Sequence, residues 1–304
     1  IEQTDLETEE TGSLHQRLDE RGSRLKVMYT NSSAEYHRAD ASLLHTDPDG
    51  RMDIEQGKNV RVFHFAGTEH GTGVWPPTDH GVIVTGAERA QNIRSVIDYS
   101  PLLRACLVNL DLWVTEGIDP PKSKHPRIDD GTLVPTSDLI SIFSSIPGSN
   151  YPYRHAIPRR REFSADEKDE HPRILPPEIG NAFGGLVPMV DSDGNEIGGI
   201  ISPEISVPVA AHTGWTLRHA DIGGEGQLLM FAGGTIPFPA TESDRLTTGD
   251  PRPSIEARYT NRDEYLSKVR ASAEALVSER YLLEIDIETS VSLGERMWDY
   301  FTGP

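Results

Sequence analysis

Residues 59–73 read NVRVFHFAGTEHGTG and decide the predicted fold. The part from Val60 to His64 has the β-branched and aromatic character of a strand, and a turn flanked by glycines follows it. The loop beyond the strand presents the imidazole of His70. Because a strand fixes such a loop and leaves its side chains accessible, His70 is a candidate general base at the edge of a sheet.

The composition limits the classes of function. The chain has 304 residues, of which 36% are hydrophobic, enough to fill the core of one large domain or two ordinary ones. Its 48 acidic and 29 basic residues give a net charge of -19, which repels nucleic acid and anionic membrane surfaces. Its apolar runs are too short for a membrane span. We therefore predict a soluble protein with no nucleic-acid partner and no membrane span.

The single cysteine limits the possible disulfides and metal sites, and the first residues bear on whether the chain is complete. Cys106 excludes an intramolecular disulfide and a metal site with several cysteine ligands. It lies in an apolar helical pattern, which favours a buried side chain over a nucleophile. The first residues are acidic, lack an initial methionine and do not resemble a signal peptide. We interpret the chain as a fragment or a processed piece of a longer protein.

A second unit of strand and loop precedes the first. Leu25 to Thr30 are predicted as a strand, and the loop that follows carries Glu35 before a short helix from Tyr36 to Leu44. Glu35 and His70 each follow a strand closely, so both can emerge at one edge of a parallel sheet. A carboxylate there can accept the Nδ1 proton of His70 and stabilise the imidazolium. The two residues would then be two members of a hydrolytic triad.

The nucleophile of such a triad is missing from the expected place. In this kind of sheet the serine precedes the acid in the chain, yet residues 1–34 contain no Gly-x-Ser-x-Gly. Ser32 and Ser33 follow a strand, but they lack the flanking glycines of a nucleophile elbow. Asp40 and Asp47 are alternative acids, because the position of the acid varies among such loops. The residues alone therefore supply two members of the triad and no fitting nucleophile.

The amphipathic pattern after residue 99 predicts the clearest helix. Ser100 is the expected cap, Pro101 the first helical residue and Gly117 the end. The expected buried stripe is Leu102, Leu103, Cys106, Leu107, Leu110, Trp113 and Val114. A strand, a loop and a helix in this order are typical of doubly wound sheets, so the predicted fold class is α/β, but the order alone indicates no function.

The second half of the chain is less regular. Residues 120–177 are rich in Pro, Asp and Arg and predict an extended surface segment or linker. Residues 191–196 fit either a calcium loop or a hairpin turn, and the absence of a glutamate at the twelfth position of the loop favours the turn. Residues 205–210 predict a strand, Ser254 a helix cap, and residues 262–281 a long helix.

Metal binding is an alternative for the residues around His70. The possible ligands are His64, Glu69, His70, Asp79 and His80. None of their spacings is that of two histidines on one helix face, so a role for His64 in the strand is favoured over a metal site. No cofactor and no metal is part of the preferred interpretation.

Three residues are candidates for substrate binding. Trp75, Trp215 and Arg218 could line an acyl pocket or bind the carboxylate of a product. For the two tryptophans, packing in the core or between domains is the favoured alternative.

Six stretches of the chain form a recognisable set. They are KVMYTNSSAEY at 26–36, ASLLHTDP at 41–48, FAGTEHG at 65–71, LRACLV at 103–108, VPVAAHTGWTLR at 207–218 and GDPRPSIEARY at 249–259. Together they resemble the C-terminal half of a bacterial family of alpha/beta-hydrolase-domain proteins. The resemblance implies a serine hydrolase of carboxylic esters, with Glu35 as the acid and His70 as the base. It also implies a partner, the missing N-terminal half of the same protein, which would carry the nucleophile.

The resemblance implies two parts. Residues 1–119 would be the C-terminal portion of the alpha/beta-hydrolase core, and residues 120–304 a family-specific C-terminal extension or cap of short strands and helices. The preferred interpretation is therefore an α/β protein that hydrolyses a small-molecule ester. The alternative is a non-catalytic binding or structural module that keeps the edge of the sheet without a nucleophile.

Overall fold

The computed structural model describes residues 2–38, 40–81, 88–164 and 173–303. Residue 39 of the predicted helix at 36–44 and residues 165–172 of the predicted linker lie outside these ranges. None of the helices within them combines the length and the apolar character that a membrane crossing requires.

Strands and helices are interspersed along the described chain, and the last four α-helices follow one another. The strands are β1 (Gln3–Thr4), β2 (Thr11–Gly12), β3 (Val27–Ser32), β4 (Val60–Phe65), β5 (Ile93–Arg94), β6 (Leu133–Pro135), β7 (Arg159–Glu162), β8 (Glu178–Ala182), β9 (Leu186–Pro188), β10 (Ala210–Thr213) and β11 (Gly234–Pro237). The α-helices are α1 (Gln16–Glu20), α2 (Ser33–His37), α3 (Ser100–Thr115), α4 (Ile140–Ser145), α5 (Pro203–Ser206), α6 (Glu242–Thr248), α7 (Ile255–Arg258), α8 (Arg262–Ser278) and α9 (Ile287–Thr302). Shorter 3₁₀ helices are Ala41–Leu44, Thr136–Leu139, Ala220–Ile222 and Glu284–Asp286.

The strands β3 and β4 position the candidate site. They pair in parallel, from Val27 opposite Val60 to Ser32 opposite Phe65. Since parallel strands run in the same direction, their carboxyl ends lie at one edge of the sheet, as the sequence predicted for these two units. On the other side of β4, the His64 N–H donates to the Lys124 carbonyl at 3.0 Å and the Ile200 N–H to the His64 carbonyl at 2.7 Å.

The remaining strands form small antiparallel sheets. They pair as β1 with β2, β6 with β9, β7 with β8, and β10 with β11, which also pairs with β5. The predicted strand at 205–210 is wrong in its position. The sequence from Pro203 forms the short helix α5 instead, and β10 begins only at Ala210. Proline fits the first turn of a helix, and here this preference outweighs the β-branched residues that follow it.

The core crosses the boundary that the sequence suggested. One cluster packs Phe63 and Leu102 against Ile200 and Leu276, and a larger one joins Val96 to residues from the rest of the chain. The parts at 1–119 and 120–304 therefore share their hydrophobic cores. The interpretation of 120–177 as a surface excursion or linker is wrong for the described part, since Leu139, Phe143 and Ile146 of that segment are buried in the larger cluster. A helix as short as α4 gives almost no periodic pattern to detect.

The helix α3 is present but buries a narrower stripe than its sequence suggested. Leu102, Cys106 and Trp113 are buried, whereas Leu107 and Val114 are 66% and 62% exposed. At about 3.6 residues per turn, these two residues point roughly a third of a turn away from the buried row. Tyr99 is the N-cap, and Ser100 is the first helical residue.

The structure confirms the predicted cap at Ser254 and most of the predicted helix at 262–281. The Ser254 hydroxyl accepts a hydrogen bond from the Ala257 N–H at 3.3 Å and so caps α7. The long helix α8 begins at Arg262 as predicted and ends at Ser278, before Tyr281. It packs with α9, and Tyr265, Val269 and Met297 are buried in the larger core cluster.

Candidate active site

Glu35 and His70 meet at the carboxyl edge of β3 and β4. The His70 Nδ1–H donates to Glu35 Oε1 at 2.5 Å. The side chains are 56% and 27% exposed. Within the part of the chain that the structure describes, His70 Nε2 has no hydrogen-bond partner. The predicted contact is therefore present, and the second ring nitrogen is left for another group.

The backbone around Glu35 differs from the prediction. Glu35 lies in the first turn of α2 rather than in a loop. Its Oε2 accepts the Ser32 N–H at 2.6 Å and also a bond from the Ser32 hydroxyl. The two residues form a capping box, in which a serine and a glutamate three residues later satisfy the first turn of a helix. The Ser-x-x-Glu pattern at 32–35 was the sequence feature that could have predicted this helix.

Two aromatic residues hold the loop of His70. The Phe231 ring stacks on the imidazole with centroids 4.5 Å apart, and the Phe231 carbonyl accepts the His70 N–H at 3.3 Å. The Tyr99 hydroxyl donates to the His70 carbonyl at 2.7 Å. Burial, together with the charges of Glu35 and Glu69, raises the pKa of Tyr99 to about 12. Tyr99 therefore keeps its proton and remains a donor to the loop at neutral pH.

Behind this pair lies a buried carboxylate that the sequence interpretation missed. Glu196 Oε2 accepts hydrogen bonds from the Ser33 hydroxyl, His64 Nε2 and the Gly67 N–H. Burial alone would raise the pKa of Glu196, but the hydrogen bond and the charge of His64, with His37 and Gly67, hold it below its ordinary value. His64 is therefore buried in β4, in agreement with its favoured assignment to the strand, and its ring contacts a carboxylate. Sequence alone could not have paired residues so far apart in the chain.

The five possible metal ligands do not converge. His64 contacts Glu196, Glu69 contacts Arg94 and the Gly233 N–H, and His80 contacts Asp79. Within the described ranges, no group of three His, Cys, Asp or Glu side chains is arranged to hold a metal ion.

The segment at 191–196 is a turn. Asp191 Oδ1 accepts the N–H groups of Asp193 and Asn195, both at 2.9 Å. Val190 and Glu196 form an antiparallel bridge across it, and Gly194 adopts a φ of 91°. The hairpin was the interpretation that the sequence favoured over a calcium loop.

The proposed substrate-binding residues lie in different surroundings. Trp215 is buried against Phe143 and Tyr151, and the Trp75 ring contacts Tyr300 and the Arg296 guanidinium. These are the packing contacts that the favoured alternative for the tryptophans described. The Arg218 side chain donates to the carbonyls of Ile222 and Gly223. In the described structure, none of these contacts reaches His70 or Glu35.

The other candidate nucleophiles and acids are occupied elsewhere. The Ser32 hydroxyl donates to Glu35 and the Ser33 hydroxyl to Glu196, so neither is bonded to His70. Asp47 Oδ1 accepts the Met52 N–H at 2.9 Å and stabilises a turn, and Asp40 is the N-cap of the 3₁₀ helix that follows. Glu35 is therefore the carboxylate that His70 contacts.

A second exposed pair shows that contact alone does not define a site. His80 Nδ1 lies 2.5 Å from Asp79 Oδ1, with side-chain exposures of 57% and 31%, close to those of His70 and Glu35. This pair lies in a loop, whereas Glu35 and His70 follow two paired strands. The position at the edge of the sheet, rather than the contact itself, distinguishes the candidate site.

Close packing at the start of α2 yields a stability prediction. A Cβ on Gly214 would lie 2.2 Å from the Ser33 Cβ and 2.6 Å from the Ala34 nitrogen. We expect Gly214→Ala to lower the free energy of unfolding by about 3 kcal/mol, because the start of α2 would have to shift. Urea unfolding measures this change. Gly57→Ala is the control, since its nearest neighbour would be Val60 Cγ2 at 3.8 Å, and an equal loss in both variants would contradict the packing argument.

Comparison with known proteins gives one match. A family model described as an alpha/beta hydrolase domain matches residues 2–292. No curated protein and no solved structure matches the chain.

Proposed function

Since the chain belongs to the alpha/beta hydrolase domain family, we propose that it takes part in the hydrolysis of carboxylic esters by a serine mechanism. The observation that carries this proposal is the contact of 2.5 Å between His70 Nδ1 and Glu35 Oε1. It lies where the paired strands β3 and β4 end, and it leaves Nε2 of His70 without a partner in the described structure.

The roles follow from the direction of the hydrogen bonds. With the Nδ1 proton bonded to Glu35, Nε2 carries the lone pair that accepts a proton from a serine hydroxyl as its oxygen attacks the ester carbonyl. The imidazolium that forms is stabilised by the Glu35 carboxylate and then gives its proton to the leaving alkoxide. Water repeats the sequence on the acyl-enzyme and releases the acid. His70 is therefore the general base and the general acid in turn.

The serine is proposed to lie outside the described residues, upstream in the natural protein. The hydroxyls of Ser32 and Ser33 donate hydrogen bonds to carboxylates, so neither of them is hydrogen-bonded to His70. The same observation favours a second candidate function, a binding module that keeps the pair but performs no ester chemistry. The two functions differ in whether a serine becomes covalently labelled.

The test uses the protein encoded by the complete reading frame. It is incubated with a fluorophosphonate, digested and mapped by mass spectrometry, and its turnover of p-nitrophenyl acetate and butyrate is measured. We expect one labelled serine and ester turnover that the label abolishes. A protein with neither label nor turnover would support the binding module and overturn the proposed enzyme.

The acid has a prediction of its own. Glu35→Gln should lower kcat/KM for a short ester by roughly 10³-fold, because an amide cannot balance the charge of the imidazolium and does not fix the tautomer. The amide oxygen can still accept the Ser32 N–H, so the cap of α2 should persist. Asp79→Asn alters the exposed pair at His80 in the same way and should leave kcat/KM unchanged. Equal losses in both variants would refute the role of Glu35.

A further inference from the structure

One buried oxygen atom joins the two segments that carry Glu35 and His70. Glu196 Oε2 accepts the Ser33 hydroxyl at 2.7 Å, His64 Nε2 at 2.8 Å and the Gly67 N–H at 2.9 Å. Ser33 is the first residue of α2, which carries Glu35, and Gly67 lies in the turn from β4 to His70. The three donors therefore come from the acid's helix, the base's strand and the base's loop.

Further hydrogen bonds tie the same segments directly. The Thr68 N–H donates to the Ser33 hydroxyl at 3.2 Å, and the Ala34 N–H donates to the Thr68 carbonyl at 3.3 Å. The Ser33 hydroxyl thus accepts from the base's loop while it donates to Glu196. The start of α2, the turn at Gly67 and the Glu196 carboxylate form one closed network.

The carboxylate is itself held from behind. The neighbouring Asn195 side chain donates to the Ala210 carbonyl at 3.1 Å and accepts the His212 N–H at 2.9 Å. These bonds fix the turn at 191–196 on β10, a strand of another sheet. Glu196 therefore links the edge that carries Glu35 and His70 to β10, which belongs to another sheet.

The contact between Glu35 and His70 cannot fix its own geometry. It is exposed on the His70 side, and exposed pairs of this kind contribute about 0–1 kcal/mol. Proton transfer in a hydrolase nevertheless requires the two groups to be held closely, since a displacement of about 1 Å can cost a hundredfold in rate. Tyr99 and Phe231 hold the loop of His70, but they do not join it to α2, so the separation also depends on interactions that connect the two segments.

We propose that Glu196 is a positioning residue, which holds the helix of Glu35 and the loop of His70 at their working separation through its three buried hydrogen bonds. The proposal rests on the proposed function of the Glu35–His70 pair. Glu196 does not contact substrate; it acts through Ser33 and Gly67. Its negative charge matters as well as its shape, because carboxylate acceptors form stronger hydrogen bonds than amide oxygens.

The test compares Glu196→Gln with Glu204→Gln in the full natural protein. Both glutamates are buried, with 3% and 7% exposure, but Glu204 lies on α5 and makes no hydrogen bond, within the described residues, to the segments of Glu35 and His70. The first measurement is the proton NMR signal of the His70 Nδ1–H, assigned by its loss in His70→Ala. We expect Glu196→Gln to move this signal upfield or to broaden it by exchange with solvent, and Glu204→Gln to leave it in place.

The second measurement is turnover of a short ester. We expect Glu196→Gln to lower kcat by about 10- to 100-fold with KM changed less than twofold, since a displaced base impairs the chemistry more than ground-state binding. Circular dichroism confirms that each variant is folded. An unchanged NMR signal and kcat in Glu196→Gln would overturn the proposal, and so would equal changes in Glu204→Gln.

Two further outcomes, an unfolded variant and a wild-type protein without turnover, have their own tests. If Glu196→Gln does not fold, Ser33→Ala removes the bond from α2 to Glu196 together with the bond that the Ser33 hydroxyl accepts from the Thr68 N–H. This variant should shift the His70 signal in the same direction, and an unshifted signal there would overturn the proposal. If the wild-type protein turns over no ester, the proposed function fails, while the NMR comparison still decides whether Glu196 positions the pair.

Discussion

His70→Ala is expected to lower kcat/KM for a short ester by roughly 10³- to 10⁴-fold. In the proposed mechanism the imidazole accepts the proton of the attacking serine and returns it to the leaving alkoxide, and both steps would be lost with it. The side chain is 56% exposed and packs mainly on Phe231, so the fold should tolerate its removal. The measurement is steady-state turnover of p-nitrophenyl butyrate, with thermal unfolding recorded for the same preparations.

The matched control is His80→Ala. His80 resembles His70 in its exposure and in its carboxylate partner at 2.5 Å, but it lies away from the carboxyl ends of the paired strands. We expect turnover to be unchanged in this variant. Retained turnover in His70→Ala would remove His70 from the mechanism, and a comparable loss in His80→Ala would show that the assay reports a general effect of histidine removal.

Lowering the pH from 7.5 to 5.5 should reduce the free energy of unfolding through the buried histidines, of which His45 and His212 alone contribute about 3 kcal/mol. Burial, with the nearby His125 and His64, lowers the pKa of His45 from 6.5 to about 2, and burial lowers that of His212 to about 3. Both values lie below 6.5, so between them and 6.5 only the unfolded chain binds the protons. Stability therefore falls as the pH drops below 6.5, by about 1.4 kcal/mol per histidine and pH unit.

Chemical unfolding at the two pH values tests this expectation. Glu69 and Glu204 act in the opposite direction, because burial raises the pKa of each carboxyl group, so the comparison of variants is sharper than the total change. His37, His125 and His155 act in the same direction as His45 and His212, because burial lowers the pKa of each. His212→Gln should therefore remove about 1.4 kcal/mol of the loss, whereas the exposed His80→Gln should not alter it. A free energy of unfolding that is equal at pH 7.5 and 5.5 would refute the account.

Local patterns were enough to predict the centre of the site. The residues from Val60 to Phe65 are β-branched and aromatic, and they form β4 because few other conformations suit such a run. The parallel pairing with β3 followed from placing both side chains beyond strand ends. The approach of Glu35 to His70 then followed from the two strand ends lying side by side. The catalytic roles remain predictions that the kinetic experiments test.

Long-range packing could not be predicted in the same way. Glu196 lies in a turn whose sequence indicates only its local geometry, and its partners are Ser33, His64 and Gly67. The burial of Phe143 likewise depends on Tyr151 and Trp215, which one short helix does not indicate. In α3, the apolar residues Leu107 and Val114 are exposed because the helix buries only its narrower row. Each of these features depends on contacts between segments that are far apart in the sequence.

The backbone conformation of Phe231 lowers the stability of the fold, while its side chain orders the ring of His70. Its φ of 61° lies in the left-handed region, where a residue with a Cβ is disfavoured by roughly 1 kcal/mol relative to glycine. Phe231 nevertheless stacks on His70 and gives it a carbonyl acceptor. A selection for thermal resistance alone would favour glycine there and uncover one face of the imidazole. Substitution of Phe231 by glycine is therefore expected to relieve the backbone strain and, at the same time, to leave the ring of His70 less well ordered.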